Sequence, residues 1–157
     1  MDQVRIQSAI GVLEVGGDEH GISSVSFLDE AIPVSKDIPK ELQKAVEQLG
    51  EYLSGSRTEF TLKINPPGTD FQKKVWKKLR AIPYGKTMTY QEIANELGDP
   101  KVIRAAASAN GKNPIAIIVP CHRVIGSDGS LTGYAGGLSR KQWLLEHESG
   151  FKQGKLF

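Results

Sequence analysis

A single cysteine, Cys121, is the strongest candidate for chemistry in this sequence of 157 residues. His122 follows it directly, and Asn113 and Arg123 add further polar groups nearby. A thiol with an ordinary pKa of about 8.5 is only a few per cent thiolate at neutral pH, so a histidine acting directly or through water would make the sulfur available. These residues predict a nucleophile at Cys121 and a base at His122. The alternative is an inert buried cysteine, the commoner role of a lone cysteine.

An imidazole base needs an acceptor that orients it, and Glu148 is the candidate. Ser139 and Gln142 have the spacing of a capping box, which predicts a helix that ends at Gly150 and carries Glu148 in its last turn. The helix dipole opposes a carboxylate at that end, so a specific partner would explain its presence. A solvated glutamate is the alternative.

The apolar run 115–119 lies immediately before the cysteine. It is rich in β-branched residues and is followed by Pro120, which predicts a buried strand with Cys121 at its exit. Consecutive side chains of a strand point to opposite faces. His122 can therefore approach Cys121 only if the chain turns sharply after Pro120.

Start and stop signals predict helices upstream of the cysteine. Thr69 with Gln72, and Thr89 with Glu92, are capping boxes, and Asp99 is a cap for a further helix. The predicted helices run from Thr69 to Pro83, with Phe71, Val75, Leu79 and Ile82 on one face, from Thr89 to Gly98, and from Pro100 to about Asn110. The last two, joined by a very short turn, match the helix-turn-helix pattern, although such pairs also occur in proteins that never bind DNA.

The second helix of that pair consists mostly of small residues, Arg104-Ala-Ala-Ala-Ser-Ala109. Readers of the major groove usually carry long polar side chains, whereas small residues would let the backbone approach the narrower minor groove. The alternative is that the alanines are good helix formers packed against the core. Residues 71–112 also carry nine basic side chains against three acidic ones, which suits DNA or a solvated surface.

The N-terminal part predicts a small β-rich domain. Arg5–Val15 and Ile22–Phe27 indicate two strands joined by a turn, and alternation at Phe60, Leu62 and Ile64 indicates a third. Between them, Leu42, Val46, Leu49 and Leu53 have the spacing of one helix face. Asn65-Pro-Pro-Gly68 suits a boundary, which divides the chain into a scaffold domain, 1–66, and a second domain, 69–157.

Other function classes find little support in the sequence. One cysteine cannot form an internal disulfide, no segment approaches the roughly 20 apolar residues of a membrane helix, and a formal net charge of +2 is uninformative. No spaced ligand pairs suggest a metal, and no glycine-rich loop suggests a nucleotide. We expect a cytoplasmic protein with no cofactor, no metal and no membrane partner.

Ile118-Val-Pro-Cys-His-Arg-Val124 resembles the active-site signature of the O6-alkylguanine-DNA alkyltransferases. The resemblance extends over nearly all of residues 69–150. It is carried in addition by Tyr84-Gly-Lys-Thr-Met-Thr-Tyr-Gln-Glu-Ile-Ala94, Asn113-Pro114, Tyr134 to Leu138 and Trp143-Leu-Leu-Glu-His-Glu148. The stretch from Ser8-Ala-Ile-Gly11 onward resembles the family's more variable N-terminal domain, with Ala9 where a proline is common.

The resemblance implies an α+β protein: a small β-rich N-terminal domain, ribonuclease H-like in the family, and a mostly helical C-terminal domain with a winged helix-turn-helix. It implies a monomer that binds the minor groove of double-stranded DNA and rotates the damaged guanine into a pocket. The alkyl group would pass from O6 irreversibly, once per protein molecule, to Cys121. O4-alkylthymine is left open as a second substrate.

The family's residue roles carry over to matching positions. Cys121 would be the nucleophile, His122 the water-mediated base, Glu148 the residue that orients it, and Asn113 the residue that holds the turn. Tyr90 would promote rotation and donate to N3 of guanine, and Arg104 would fill the gap in the base stack. The remaining implied DNA contacts are Ala105, Ala106, Ser108 and Asn110. The implied pocket is formed by Val124, Tyr134, Ala135 and Gly136. The backbone carbonyls of Cys121 and Val124 would recognise the guanine amino group.

The second domain departs from the family pattern in two places. Ala135 stands where many relatives have a serine that can donate to O6, and Ala106-Ala107 replaces the more usual Val-Gly. Three other functions fit the sequence less well. A non-catalytic alkyltransferase-like protein would lack the cysteine, a winged-helix transcription regulator has no need of a Pro-Cys-His turn, and a thiol hydrolase would need an oxyanion hole that is not evident here.

Overall fold

Two compact units make up the chain, and the computed structural model describes residues 2–30, 33–131 and 133–149. The first unit comprises the residues up to 67 together with 114–118, and the second comprises 68–113 and the chain from 119 onward. The first division falls within Asn65-Pro-Pro-Gly68. Residues 114–118 also belong to the first unit, which a single boundary in the sequence does not predict.

An antiparallel sheet of three strands is the framework of the first unit. Its strands are β1 (Asp2–Ser8), β2 (Gly11–Asp18) and β3 (Gly21–Leu28), in that spatial order. The predicted single strand Arg5–Val15 is therefore wrong. The chain turns at Ala9 and Ile10, where the Ser8 hydroxyl accepts from the Ile10 amide and Gly11 adopts a φ of 113° that suits glycine.

One helix, α1 (Lys40–Ser54), packs against this sheet. Its buried face is formed by Leu42, Ala45, Gln48, Leu49 and Tyr52, so it is rotated from the predicted face, in which Val46 and Leu53 are only half-buried. The predicted third strand at 60–64 is reduced to a single bridge between Ile22 and Ile64. The Thr61 amide donates to the Gln48 side chain, 2.9 Å away, instead of entering a strand ladder.

The apolar run 115–119 is buried for most of its length but is not a strand. Only Ile115 forms a bridge, to Val25, and Ile117 has a φ of 70°. The Ile118 amide donates to the carbonyl of Ala116, and the Cys121 amide donates to the carbonyl of Val119, both at 2.8 Å. Turns spanning three residues thus satisfy the backbone here, and they bend the chain where the sequence predicted it to be extended.

The second unit is mostly helical. Its elements are α2 (Asp70–Arg80), β4 (Met88–Thr89), α3 (Tyr90–Glu96), a 3-10 turn (Pro100–Val102), α4 (Ile103–Gly111), a second 3-10 turn (Cys121–Arg123), β5 (Val124–Ile125) and α5 (Leu138–Ser149). Helix α4 packs against α2 and α3. The Trp76 indole, on α2, donates to the carbonyl of Ala109 at 2.9 Å and thereby joins α2 to α4.

The capping signals have mixed outcomes. Both boxes that begin with a threonine, at Thr69 and Thr89, form in full, and the Asp99 side chain accepts from the Lys101 amide. The predicted box at Ser139 is wrong, because α5 already begins at Leu138. The predicted end of that helix, Gly150, lies outside the described residues.

Strands β4 and β5 form a short parallel pair, in which Met88 faces Val124 and Thr89 faces Ile125. This pair links the start of α3 to the residues that follow the turn at Cys121. Among the described residues, no helix has the length and apolarity needed to span a membrane.

Candidate active site

The turn at Cys121–Arg123 determines where the reactive groups lie. After Pro120 the chain enters a 3-10 turn in which the Arg123 amide donates to the carbonyl of Pro120 at 3.0 Å. This is the sharp turn that the sequence required of an adjacent Cys–His pair. The three side chains of the turn are all buried, and Cys121 is 6% exposed.

Asn113 joins the end of α4 to the cysteine turn. Its amide nitrogen donates to the carbonyl of Val119 at 2.8 Å and lies 3.2 Å from Sγ of Cys121. One side chain therefore holds the backbone before the turn and donates a hydrogen bond to the sulfur. A donor at the sulfur favours the thiolate, since hydrogen bonding to a charged form stabilises it.

His122 and Glu148 form a buried pair. Nε2 of His122 lies 2.7 Å from Oε2 of Glu148, which α5 supplies. The other imidazole nitrogen, Nδ1, is buried and has no hydrogen-bond partner among the residues that the structure describes. The Glu148 carboxylate can thus accept a hydrogen bond from Nε2–H, which leaves Nδ1 as the nitrogen that can take up a proton.

Arg123 binds the same carboxylate. Its Nε and a terminal nitrogen donate to the two oxygens of Glu148 at 2.8 and 2.9 Å, and its other terminal nitrogen donates to the carbonyl of Ile82 at 2.7 Å. The guanidinium also lies 5.7 Å from the ring centroid of Tyr84. Sequence reasoning noticed Arg123 only as a polar neighbour, because its partners come from distant parts of the chain.

Burial and hydrogen bonding oppose each other in setting the charge states. Burial raises the pKa of the Cys121 thiol, although the Asn113 bond and the charge of Lys141 act to lower it. Burial also lowers the pKa of His122, in spite of the adjacent Glu148. Burial alone would raise the pKa of Glu148, but hydrogen bonds from His122 and Arg123 hold it well below its usual range. The resting site therefore contains a thiol, a neutral imidazole and a carboxylate.

Lys141 is a second charged residue that sequence reasoning did not single out. It is 0% exposed, and its Nζ donates to the carbonyl of Val124 at 2.6 Å. Burial lowers its pKa to about 8. Nothing in the sequence around Lys141, near the start of α5, distinguishes it from a surface lysine.

Comparison with known proteins supplies the family. The family model described as "6-O-methylguanine DNA methyltransferase, DNA binding domain" matches residues 70–150, and the one described as the "ribonuclease-like domain" of the same methyltransferase matches residues 5–66. The chain belongs to the 6-O-methylguanine DNA methyltransferase family.

Individual relatives of this family resemble the chain over most of its length. A methylated-DNA–protein-cysteine methyltransferase from Methanosarcina barkeri is 51% identical over 148 residues, which cover 91% of this chain and 94% of the relative. The structure of Mycobacterium tuberculosis OGT in complex with DNA superposes with a TM-score of 0.84 at 47% identity, covering 93% of this chain and 91% of that one. The α+β architecture is thus that of the family.

Within the DNA-binding domain of the family, the predicted DNA contacts divide into two groups. Arg104, Ala105 and Ser108 are exposed on α4, and Tyr90 is half-buried at the first residue of α3. Ala106 and Asn110, by contrast, are only 1% and 4% exposed. Their side chains therefore do not belong to the exposed face of α4, and a contact of either residue with DNA stays a prediction.

The residues predicted to line the family's substrate pocket lie before α5. Val124 is buried, Tyr134 and Gly136 are half-buried, and Ala135 is exposed. The Gly137 amide donates to the carbonyl of Tyr134 at 2.9 Å, and Gly137 has a φ of 92°. Among the described residues, no group of histidine, cysteine or acidic side chains could hold a metal ion.

Proposed function

We propose that the protein repairs DNA by moving an alkyl group from O6 of guanine in duplex DNA onto Sγ of Cys121, where it stays. The observation that carries this proposal is the buried pair of His122, the residue after Cys121, with Glu148. The Cys121 sulfur in turn accepts a hydrogen bond from Asn113. A structural cysteine has no use for these groups. Membership of the 6-O-methylguanine DNA methyltransferase family supplies the reaction that needs them.

Activation of the sulfur requires a base, because burial favours the protonated thiol. His122 takes the thiol proton on Nδ1 through a bridging water, while Glu148 accepts the hydrogen bond from Nε2. The resulting imidazolium is stabilised by the carboxylate. Asn113 stabilises the thiolate through its bond to Sγ. This is base-assisted nucleophilic catalysis with an orienting third residue.

The transfer itself is an in-line displacement at the alkyl carbon. The bond from Sγ to carbon forms as the bond from carbon to O6 breaks, and the electron pair of the broken bond goes to guanine. Tyr90 lowers the cost of expelling a guanine anion by donating a proton or hydrogen bond to N3. The product on Cys121 is a thioether, which has no easily displaced leaving group, so the protein acts once.

The proposed DNA interface is the exposed face of α4. Small side chains at Ala105 and Ser108 let this helix approach the minor groove closely. Tyr90 crowds the target phosphate, so the damaged nucleotide rotates out of the stack, and Arg104 occupies the space that it leaves. The protein acts as a monomer, and the need for a reduced thiol favours the cytoplasm as its compartment.

The proposed pocket for the rotated base lies between the cysteine turn and the segment 134–136. The backbone carbonyls of Cys121 and Val124 accept from the guanine amino group. Ala135 cannot donate to O6 as a serine would, so we expect recognition of O6 to depend less on this position than in relatives with serine. O4-alkylthymine is a candidate second substrate for the same pocket.

Intact-mass analysis after incubation with a duplex containing O6-methylguanine tests the proposal. We expect one added methyl group, located on the peptide that bears Cys121. Cys121→Ser should abolish transfer while retaining most of the affinity for the alkylated duplex, because the thiol is not a charge that contacts DNA. Transfer that persists in Cys121→Ser, or a methyl group on another residue, would remove Cys121 from this role.

A further inference from the structure

Arg123 is the most completely bonded charged side chain of the site, and the transfer step described above does not use it. It is 6% exposed, and all three guanidinium nitrogens donate hydrogen bonds. Two of these reach opposite oxygens of Glu148, which is the strong, geometrically specific form of an arginine–carboxylate pair. Such a contact determines both the charge and the orientation of the carboxylate.

Charge balance explains why this contact matters for His122. The carboxylate of Glu148 is nearly inaccessible, with a side chain that is 1% exposed, and a buried charge is expensive unless it is paired. Arg123 supplies the compensating positive charge. Without Arg123, the negative charge of the His122–Glu148 pair would be neutralised by an additional proton, shared between the imidazole and the carboxylate.

That additional proton would block the base in either location. If it resided on the imidazole, both ring nitrogens would be donors and neither could accept from the thiol. If it resided on Glu148, the carboxylic acid would donate to Nε2 and the imidazole would carry its hydrogen on Nδ1. Only an ionised Glu148 fixes the neutral tautomer with hydrogen on Nε2 and a lone pair on Nδ1.

We propose that Arg123 is a positioning residue which keeps Glu148 ionised and thereby maintains His122 as a neutral base with its lone pair on Nδ1. This inference rests on the proposed function, since it assigns a role within the activation of Cys121. It adds Arg123 to the residues of the proposed mechanism, although Arg123 contacts neither the substrate nor the reacting atoms.

Other charged and titratable groups also act on this pair. Lys141, on α5, disfavours protonation of His122, as Arg123 does. Tyr84 interacts with Glu148 and Arg123, and Tyr134 interacts with Glu148 and Cys121. All of these remain in place when Arg123 alone is replaced. A change in the titration of His122 on that replacement therefore reports the loss of the guanidinium.

The test compares the wild-type protein with Arg123→Met, which is similar in length but uncharged, and Arg123→Lys, which keeps the charge but cannot bind both oxygens. The single-turnover rate of methyl transfer is measured from pH 5.5 to 8.5, and the ring nitrogens of His122 are followed by ¹⁵N NMR in DNA-free protein. In Arg123→Met, the pH midpoint of the acid limb should rise, and the ratio of the rates at pH 8 and pH 6 should increase about tenfold. The NMR titration should move in the same direction, with Arg123→Lys intermediate.

A merely structural arginine predicts a different result, in which the rate falls equally at every pH and the His122 titration stays where it is. That result would overturn the inference. If Arg123→Met does not fold, Arg123→Gln takes its place as the uncharged variant: an unchanged midpoint contradicts the proposal, and a raised one supports it. The NMR titration needs no alkyl transfer, so it separates failure of this inference from failure of the proposed function.

Discussion

Lys141 is a buried amine close enough to Cys121 to affect the pKa of its thiol, and its burial makes the stability of the protein depend on pH. In the folded protein Lys141 loses its proton near pH 8, whereas in the unfolded chain it holds the proton until about 10.5. Between these values the unfolded state binds more protons, so the free energy of unfolding should rise with pH. The raised pKa of Cys121 contributes with the opposite sign above pH 9.

The Lys141 contribution can be isolated by substitution. We expect the slope of unfolding free energy against pH, measured by urea denaturation from pH 8 to 10, to be more positive in the wild-type protein than in Lys141→Met. Lys112→Met is the matched control, because Lys112 is exposed and should leave the slope unchanged. Equal slopes in the wild type and Lys141→Met would show that Lys141 is not buried as the structure has it.

Among the residues of the candidate site, the sequence identifies some and misses others for a physical reason. Cys121, His122, Asn113 and Glu148 could be singled out because their types suit one reaction. Arg123 and Lys141 could not, because a charged side chain is normally solvated, and what buries these two is a set of partners that are distant in sequence. Only the fold supplies those partners.

The helices α3 and α4 form the proposed DNA-binding surface, and replacement of Arg104 tests this proposal. Arg104→Ala should slow repair of a methylated duplex far more than reaction with free O6-benzylguanine, since only the duplex requires a base to be extruded. Extrusion costs a few kcal/mol, so losing the residue that holds the extruded state should reduce the duplex rate by about tenfold or more. Single-turnover rates on both substrates measure the difference.

Lys101→Ala is the matched control for Arg104→Ala. Lys101 is exposed on the 3-10 turn before α4. Its replacement by alanine therefore removes one positive charge, as Arg104→Ala does, but leaves the side chain proposed to enter the base stack. We expect a modest, salt-dependent loss on the duplex and no loss on the free base. Equal losses on both substrates in Arg104→Ala would contradict a role in holding the flipped state.

Elements were predictable where their signals are local. The capping boxes at Thr69 and Thr89 need only two side chains within one helical turn, and both form. The prediction of a strand at 115–119 was wrong because an apolar, β-branched composition indicates burial but does not determine the backbone conformation. Its bend depends on the positive φ of Ile117 and on the bridge to Val25, neither of which a local pattern contains.

Repair should weaken the fold of the protein. The alkyl group must be accommodated at a sulfur that is nearly buried and already hydrogen-bonded by Asn113. Overpacking of this kind typically costs about 1–3 kcal/mol, and each kcal/mol lowers the melting temperature of a protein of this size by roughly 2–4 °C.

Calorimetry of the methylated and unmethylated protein measures this effect. The methylated form should melt at lower temperature, and Cys121→Ser treated with the same alkylated duplex should show no change. An unchanged or raised melting temperature of fully methylated protein would mean that the site has room for the product, against the packing described here.

The stoichiometry of repair tests whether transfer to Cys121 is irreversible. Because the product on Cys121 is a thioether with no leaving group, restored guanine should plateau at about one equivalent per active protein molecule when the O6-methylguanine duplex is in excess. A hydrolase with a similar Cys–His pair would instead pass through a thioester that water can attack, and would release product continuously. Guanine restoration that continues well beyond one equivalent would contradict irreversible transfer to Cys121.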